Sequence, residues 1–142
     1  MNRRKVLQSL GAFGALAAPA LMDAQQTPHV HGTPAHQALV VTASDCVVKG
    51  ETCLAHCHRL LAEGDKSLGL CAKSVSEMLT LCGALRSLAA QNAPSLPKLA
   101  AVALDACRRC ETECRKHEME HKECKDCAQA CAACAAECQK MA

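Results

Sequence analysis

The sequence predicts an all-α protein, specifically an antiparallel up-down-up-down four-helix bundle with a Cys-lined core. Three observations support this fold class. No segment alternates apolar and polar residues with the period of two typical of a strand. Gly and Pro divide the chain into pieces of helical length. The 142 residues include 13 Cys but no Trp, Tyr or Ile, so cysteine must replace much of an ordinary core.

Residues 1–24 are expected to be an export signal. Arg3-Arg4-Lys5 precedes an apolar stretch over residues 6–21, and Ala24 offers a cleavage point. The start resembles a twin-arginine motif, a route that carries folded proteins, so a periplasmic or equivalent extracytoplasmic location is expected. Gly and Pro weaken the stretch, and no other run is long enough to span a bilayer, so the mature form should not be a membrane protein.

Residues 25–35 form a polar lead-in that contains His29 and His31, and residues 36–142 are assigned to the bundle. We expect the lead-in and His36 to form a flexible tail rather than a metal site. The formal net charge of +2 falls to about zero once the signal is removed, and the only Phe, Phe13, leaves with it. Without a basic patch or aromatic stacking surface, nucleic acid is not an expected partner.

The first helix is expected from about Pro34 to Glu63, where Gly64 offers a left-handed C-cap. Asp65 is placed to N-cap a second helix, which should run over about residues 66–91.

Asn92, Pro94 and Ser95 then restart the chain, so that a third helix begins near Leu96 and a fourth ends near Lys140. No Gly or Pro separates these last two helices. Their Cys residues nevertheless follow two different heptad phases, which predicts a turn over residues 117–120.

Cysteine occupies the inward positions of all four predicted helices, at the spacings of 3, 4, 7 and 11 that form a buried stripe. Helix two places Met78 in line with its thiols, on a face that also carries Leu68, Val75 and Leu85. All 13 Cys can therefore point inward: Cys46, Cys53, Cys57, Cys71, Cys82, Cys107, Cys110, Cys114, Cys124, Cys127, Cys131, Cys134 and Cys138.

Two roles other than metal binding fit these cysteines poorly. As plain core residues, thiols bury less apolar area than Leu would at the same positions. As a disulfide scaffold, 13 is an odd number, and pairs such as Cys53 and Cys57 are four residues apart on a helix. Their Cβ atoms then stand about 5–6 Å apart, whereas a disulfide needs about 3.8 Å.

The same spacing lets two thiolates bind one ion, and thiolates select soft metals such as Cu(I), Zn(II) or Cd(II), or iron–sulfur clusters. The bacterial ferredoxin run is absent. Several Zn(II) sites with four thiolates each would bury negative charge without a buried Lys or Arg. Cu(I) at roughly one ion per Cys leaves the core neutral, so multiple cuprous ions are the favoured cargo.

The chain resembles the bacterial copper storage proteins from about His36 to its end. The resemblance rests on the Cys-seamed bundle, the twin-arginine-like signal and two runs, Cys107-Arg-Arg-Cys110-Glu-Thr-Glu-Cys114 and Cys124 to Cys138. It implies that the cysteines bind Cu(I) inside each bundle and that protomers form a homotetramer. It also implies that exported members hold copper for recipient enzymes such as the methane-oxidising monooxygenase.

One end of the predicted bundle gathers the side chains His56, His58, His117, Met119 and His121. His117 and His121 continue toward the thiol face and are the expected uptake residues, because imidazole holds Cu(I) less tightly than paired thiolates. His58 is expected to be a solvated turn residue. The opposite end should be closed by the apolar start of helix three, which carries Leu96, Leu99, Ala100, Val102, Ala103 and Leu104.

The expected function is therefore an exported, non-enzymatic Cu(I) store. One alternative is a thiolate sink for Cd(II), Hg(II) or Zn(II). Another is a thiol redox protein, which would need a reactive Cys-x-x-Cys at a helix N-terminus, whereas the pairs here are many and lie in mid-helix.

Overall fold

The structure is a computed structural model that describes residues 35–141, and this stretch folds into four helices. They are α1 (Gln37–Ala62), α2 (Gly69–Ala90), α3 (Leu96–Arg115) and α4 (Lys122–Gln139). No strand occurs within residues 35–141, and the predicted all-α class is confirmed. Each helix packs against the next along the chain, and α4 packs back against α1. Because the connections are short, neighbouring helices run antiparallel and form an up-down-up-down bundle.

A residue with a left-handed backbone follows each of the first two helices, which the sequence predicts at Gly64, whereas at Asn92 it predicts only a break. Gly64 has φ of +98°, and the backbone N–H of Asp65 donates to the carbonyl oxygen of Leu60 at 3.0 Å. Asn92 has φ of +52°, and the N–H of Ala93 donates back into α2 in the same way. These bonds satisfy carbonyls that a helix end leaves without partners, so each chain reversal is set by one residue that tolerates positive φ.

The start of α2 differs from the prediction. The helix begins at Gly69 rather than near Lys66, and its N-cap is Leu68, which makes no side-chain capping bond. Asp65 accepts a hydrogen bond from the backbone N–H of Ser67 at 2.9 Å. Its carboxylate therefore closes a local turn before the helix instead of capping it, because an Asp side chain readily bonds the backbone two residues on.

The predicted break between the third and fourth helices is confirmed. Residues 116–120 form turns, and His121 adopts an extended conformation as the N-cap of α4, with φ of −127° and ψ of 108°. The backbone N–H of His121 donates to the carbonyl of His117 at 2.9 Å, which closes the connection. The turn shifts the heptad phase between α3 and α4 and lets both helices direct their cysteines inward.

The end of the bundle that holds the start of α3 is apolar. Cys138, near the end of α4, is the last thiol on the way to this end. The buried residues of this end are Leu39, Ala43, Leu85, Ala89, Leu96, Ala100 and Ala103. Leu99 and Leu104 pack partly against this core. Val102 was expected there as well, but its side chain is 52% exposed. It lies one position before Ala103 on α3, so the helical rotation of about 100° per residue turns it toward solvent.

None of the four helices combines the length and apolar character needed to cross a membrane. The expected signal peptide, residues 1–24, lies outside the described residues, as do His29 and His31.

Candidate functional site

All 13 cysteines lie in the described part of the chain, and every one is a free thiol with no exposed surface. In α4 the buried face repeats with heptad spacing from Cys124 to Cys138, and Ala128, Ala130 and Ala135 fill the flanking buried positions. These small residues allow α4 to approach its neighbours closely. The periodicity therefore places five thiols of one helix along the bundle axis, as predicted.

All the thiols except that of Cys138 fall into four groups, and within each group the sulfur atoms all lie within 4.8 Å of one another. One group of four lies near the turn after α3, and another lies toward the apolar end and takes one thiol from each helix. Two groups of three lie between them. The groups are Cys53, Cys57, Cys71 and Cys124; Cys53, Cys114 and Cys127; Cys110, Cys127 and Cys131; and Cys46, Cys82, Cys107 and Cys134.

Close sulfur pairs connect the helices across the core. Cys71 and Cys114 join α2 to α3 with their Sγ atoms 3.5 Å apart, and Cys46 and Cys131 join α1 to α4 at 3.6 Å. These distances match S–H hydrogen bonds rather than covalent bonds.

The diagonal helices α2 and α4 also meet at the axis through their thiols. The Sγ atoms of Cys82 and Cys134 lie 4.0 Å apart. The thiols therefore occupy the centre of the bundle as well as the interfaces between adjacent helices.

Shared members link three of the four groups. Cys53 belongs to the first group of four and to one group of three, and Cys127 belongs to both groups of three. The other group of four shares no member with them and meets them through the 3.6 Å contact between Cys46 and Cys131. A discrete tetrahedral site uses four ligands of its own, so these groups cannot all be separate closed sites. A thiolate can bridge two metal ions, and the arrangement therefore suits several ions held in a connected cluster.

The thiol array lies in a core without charge. Within residues 35–141 no charged or polar side chain other than cysteine is buried. Neighbouring thiols shift one another's pKa. Hydrogen bonds from nearby thiols, of which that with Cys114 has the largest effect, lower the pKa of Cys71. Hydrogen bonding raises the pKa of Cys114, and the bond with Cys110 has the largest effect. A sulfur that accepts an S–H bears negative charge more easily, and the donor keeps its proton. Only a bound cation can neutralise many thiolates here at once.

Met78 lies among the thiols, as the sequence predicts. Its side chain is fully buried, and its Sδ atom accepts a hydrogen bond from Cys46 Sγ at 3.2 Å. The Met78 side chain therefore adds a neutral soft sulfur to the thiol array.

Histidines gather at the end of the bundle where α1 and α3 finish, which we call the mouth and define by His56, His117 and His121. The Nε2 atom of His56 lies 3.1 Å from Nδ1 of His121, and the rings of His117 and His121 have centroids 6.4 Å apart. His56 directly precedes Cys57, and His121 lies three residues before Cys124. The mouth therefore lies beside the first group of four thiols.

His56 contacts an arginine and a carboxylate as well as His121. The Nη2 of Arg59, which can only donate, lies 3.3 Å from His56 Nδ1, and a carboxylate oxygen of Glu123 lies 3.7 Å from the same nitrogen. A cation held between His56 Nε2 and His121 Nδ1 would replace the hydrogen bond between these two atoms.

The other predicted mouth residues are not part of this contact. His58 is exposed, in agreement with the expectation of a solvated residue, and the Met119 side chain is 93% exposed. The expectation that His36 belongs to a flexible tail is wrong, because His36 is the N-cap of α1 at the opposite end of the bundle, and its Nε2 is 3.0 Å from Oδ1 of Asn92. Sequence reasoning placed His56 at the mouth without giving it a role, and its position immediately before Cys57 was the available signal.

Comparisons with known proteins identify the family of this chain. The model of a family described as copper storage protein matches residues 33–142. The chain is similar to the solved structure of apo copper storage protein 3 from Bacillus subtilis, with a TM-score of 0.65 and 28% sequence identity. That match covers 74% of this chain and 96% of the other. A search of curated proteins gave no match. The family match spans the whole bundle and its thiol array, and the chain therefore belongs to the copper storage protein family.

Proposed function

We propose that this protein is an exported, non-enzymatic store that binds many Cu(I) ions, roughly one per Cys, through its inward-facing thiolates. The observation that carries the proposal is the array of 13 buried thiols with shared members in a core without buried charge. Thiolates are soft ligands that favour Cu(I). One monovalent ion per thiolate leaves the core neutral, whereas an unpaired buried charge is costly.

A sink for Zn(II), Cd(II) or Hg(II) is the second candidate. The two groups of four thiols favour it, because four sulfurs within 4.8 Å of one another can surround one tetrahedral ion. Each divalent ion with four thiolates keeps a charge of −2. Repeated along the core, such sites would leave several uncompensated charges.

A thiol redox role receives no support from the site. A reactive cysteine needs access and an electropositive setting, whereas every thiol here is fully buried. Cys110 and Cys114 lie 3.9 Å apart near the C-terminal end of α3, which ends at Arg115. The expectation that the Cys pairs lie in mid-helix is wrong for Cys124 and Cys127, since Cys124 is in the first turn of α4, but both of these thiols are fully buried.

The test of the cargo is anaerobic metal analysis of the reduced full chain after equilibration with Cu(I), Zn(II) or Cd(II), supplied singly and together. The store predicts many more copper ions than zinc or cadmium ions per chain, and copper alone from the mixture. Equal filling by all three metals would support the sink instead.

We propose the mouth as the uptake end. His117 and His121 pass cuprous ions to the first group of four thiols, and His56 completes the set through its 3.1 Å contact with His121. Neutral imidazoles bind Cu(I) without adding charge, so an ion is held briefly before the thiolates take it. At the other end the described residues offer an apolar core instead.

Export through the twin-arginine route is proposed from the arginine pair at positions 3 and 4. Cell fractionation of the full chain and of the double variant Arg3→Lys, Arg4→Lys tests it, since the variant keeps the charge but loses the motif. We expect the variant to stay in the cytoplasm. Equal export of both proteins would point to ordinary secretion.

Two further parts of the proposal rest on the family alone. One is assembly as a homotetramer, which sedimentation of the apo-protein tests directly. The other is delivery of the stored copper to a copper-requiring enzyme. Neither the mouth nor the thiol array requires a second chain to be complete.

A further inference from the structure

The thiol array is interrupted halfway along α1 and α2. On α1 the inward positions are Cys46, Gly50 and Cys53, and on α2 the buried residues between Cys71 and Cys82 include Val75 and Met78. At this level along the bundle axis, only α3 and α4 supply thiols, namely Cys110, Cys127 and Cys131. The mouth-side thiols and the far group of Cys46, Cys82, Cys107 and Cys134 therefore meet across a gap in two of the four helices.

Gly50 creates the space that Met78 occupies in this gap. A Cβ atom at position 50 would lie 2.6 Å from the Met78 methyl carbon and 2.9 Å from a methyl of Leu79. Any other residue would therefore force the Met78 side chain to move. Glycine inside a helix costs about 0.5–1 kcal/mol of stability relative to Ala. Helix α1 is therefore less stable at the inward position that makes room for the Met78 thioether.

The Met78 thioether lies at the link between the two sets of thiols. Its Sδ atom is 3.2 Å from Cys46 Sγ, and Cys46 Sγ is 3.6 Å from Cys131 Sγ. Cys46 belongs to the far group, and Cys131 belongs to the neighbouring group of three. Three sulfurs at about 2.3 Å from one ion in a plane lie about 4 Å apart. The separations of Cys46 Sγ from Met78 Sδ and from Cys131 Sγ would each have to grow by less than about 1 Å for an ion to bind all three sulfurs.

We propose that Met78, Cys46 and Cys131 form a mixed thioether and thiolate site that passes Cu(I) across this gap. The proposal rests on the Cu(I) store proposed above. An ion bound to Cys131 gains bonds to Met78 and to Cys46 as the Cys46 thiol gives up its proton. Its bond to Cys131 then breaks as the ion joins the far group, and the released Cys131 thiolate takes up a proton, so the charge of the core does not change. The thioether carries no charge and holds the ion less tightly than a thiolate, so it assists the exchange without trapping the ion.

The direct test is NMR of the reduced full chain labelled with ¹³C at the methionine methyls, titrated anaerobically with Cu(I). The Met78→Leu variant assigns the Met78 signal, and Met141, which packs partly against the core, serves as the internal reference. We expect the Met78 methyl to shift strongly during loading while Met141 moves little. An unshifted Met78 methyl at saturation would make Met78 a space-filling residue and overturn the proposal.

Loading kinetics supply the second readout. Met78→Leu keeps the side-chain volume but removes the sulfur, and Met141→Leu is the matched control. We expect Met78→Leu to fill its last ions several-fold more slowly, by mass spectrometry over time, with unchanged final capacity. Equal late rates in the two variants would also overturn the proposal. Gly50→Ala, if folded, should slow the same phase. If the wild type itself takes up only a few Cu(I) ions, the proposed store fails instead, so the two failures are distinguishable.

Discussion

Replacing Leu85 by Ala should destabilise the apo bundle without changing its metal capacity. Leu85 has no exposed surface and is one of the few fully buried residues larger than Cys. A buried Leu→Ala change costs about 2–5 kcal/mol, because the removed methyls leave a cavity. For a domain of about 100 residues, 1 kcal/mol lowers Tm by about 4–8 °C. A cost of about 3 kcal/mol therefore predicts a fall of about 12–24 °C.

The assay is thermal unfolding of the reduced apo-protein by circular dichroism, followed by Cu(I) titration of the same variant. Val102→Ala is the matched control, because this residue is half-exposed on α3 and a surface change usually costs less than about 0.5 kcal/mol. If Leu85→Ala and Val102→Ala melt at the same temperature, the apolar end does not support the apo fold. A loss of bound copper in Leu85→Ala would contradict the separation of folding from storage.

Three further predictions concern the loaded protein and its filling. Loading should raise Tm strongly with little change in helix content, because ions that bind only the native array stabilise it; an apo-protein that is random coil by circular dichroism would contradict this. Changing Cys127 and Cys131 to Ala should lower the equilibrium capacity by about two ions at one ion per thiolate, with little change in initial rate; unchanged capacity would remove both from the cargo site. Changing His117 and His121 to Ala should slow uptake from a weak Cu(I) donor several-fold in stopped-flow mixing with capacity unchanged, whereas His58→Ala should match the wild type; equal rates in all three proteins would return the histidines to solvated turn residues.

Helical periodicity was enough to predict which cysteines point inward and where the last two helices are separated. The five cysteines of α4 recur at inward positions, and all five are buried. The change of phase between Cys114 and Cys124 predicts a turn over residues 117–120 although no Gly or Pro marks it, and the structure has turns at residues 116–120. Both inferences depend only on the geometry within a helix, which is the same in every bundle.

Contacts between helices could not be predicted in the same way. The pairing of Cys46 with Cys131 depends on how α1 and α4 slide past each other, and the turns and core volumes decide this together. Gly50 gave no sequence signal, because its effect is the space that it leaves for Met78. The late start of α2 likewise depends on a local side-chain bond of Asp65, which competes with helix capping.

The central claim is that the buried thiols hold Cu(I) at roughly one ion per Cys. Its most direct measurement is an anaerobic titration of the reduced full chain with Cu(I), against a chromophoric Cu(I) chelator and beside a thiol count. The account predicts that the chelator stays free until the protein has taken up about as many ions as its 13 thiols, because neutrality of the buried core requires it. Saturation at about three or four ions, the number that separate four-thiolate sites would allow, would contradict it.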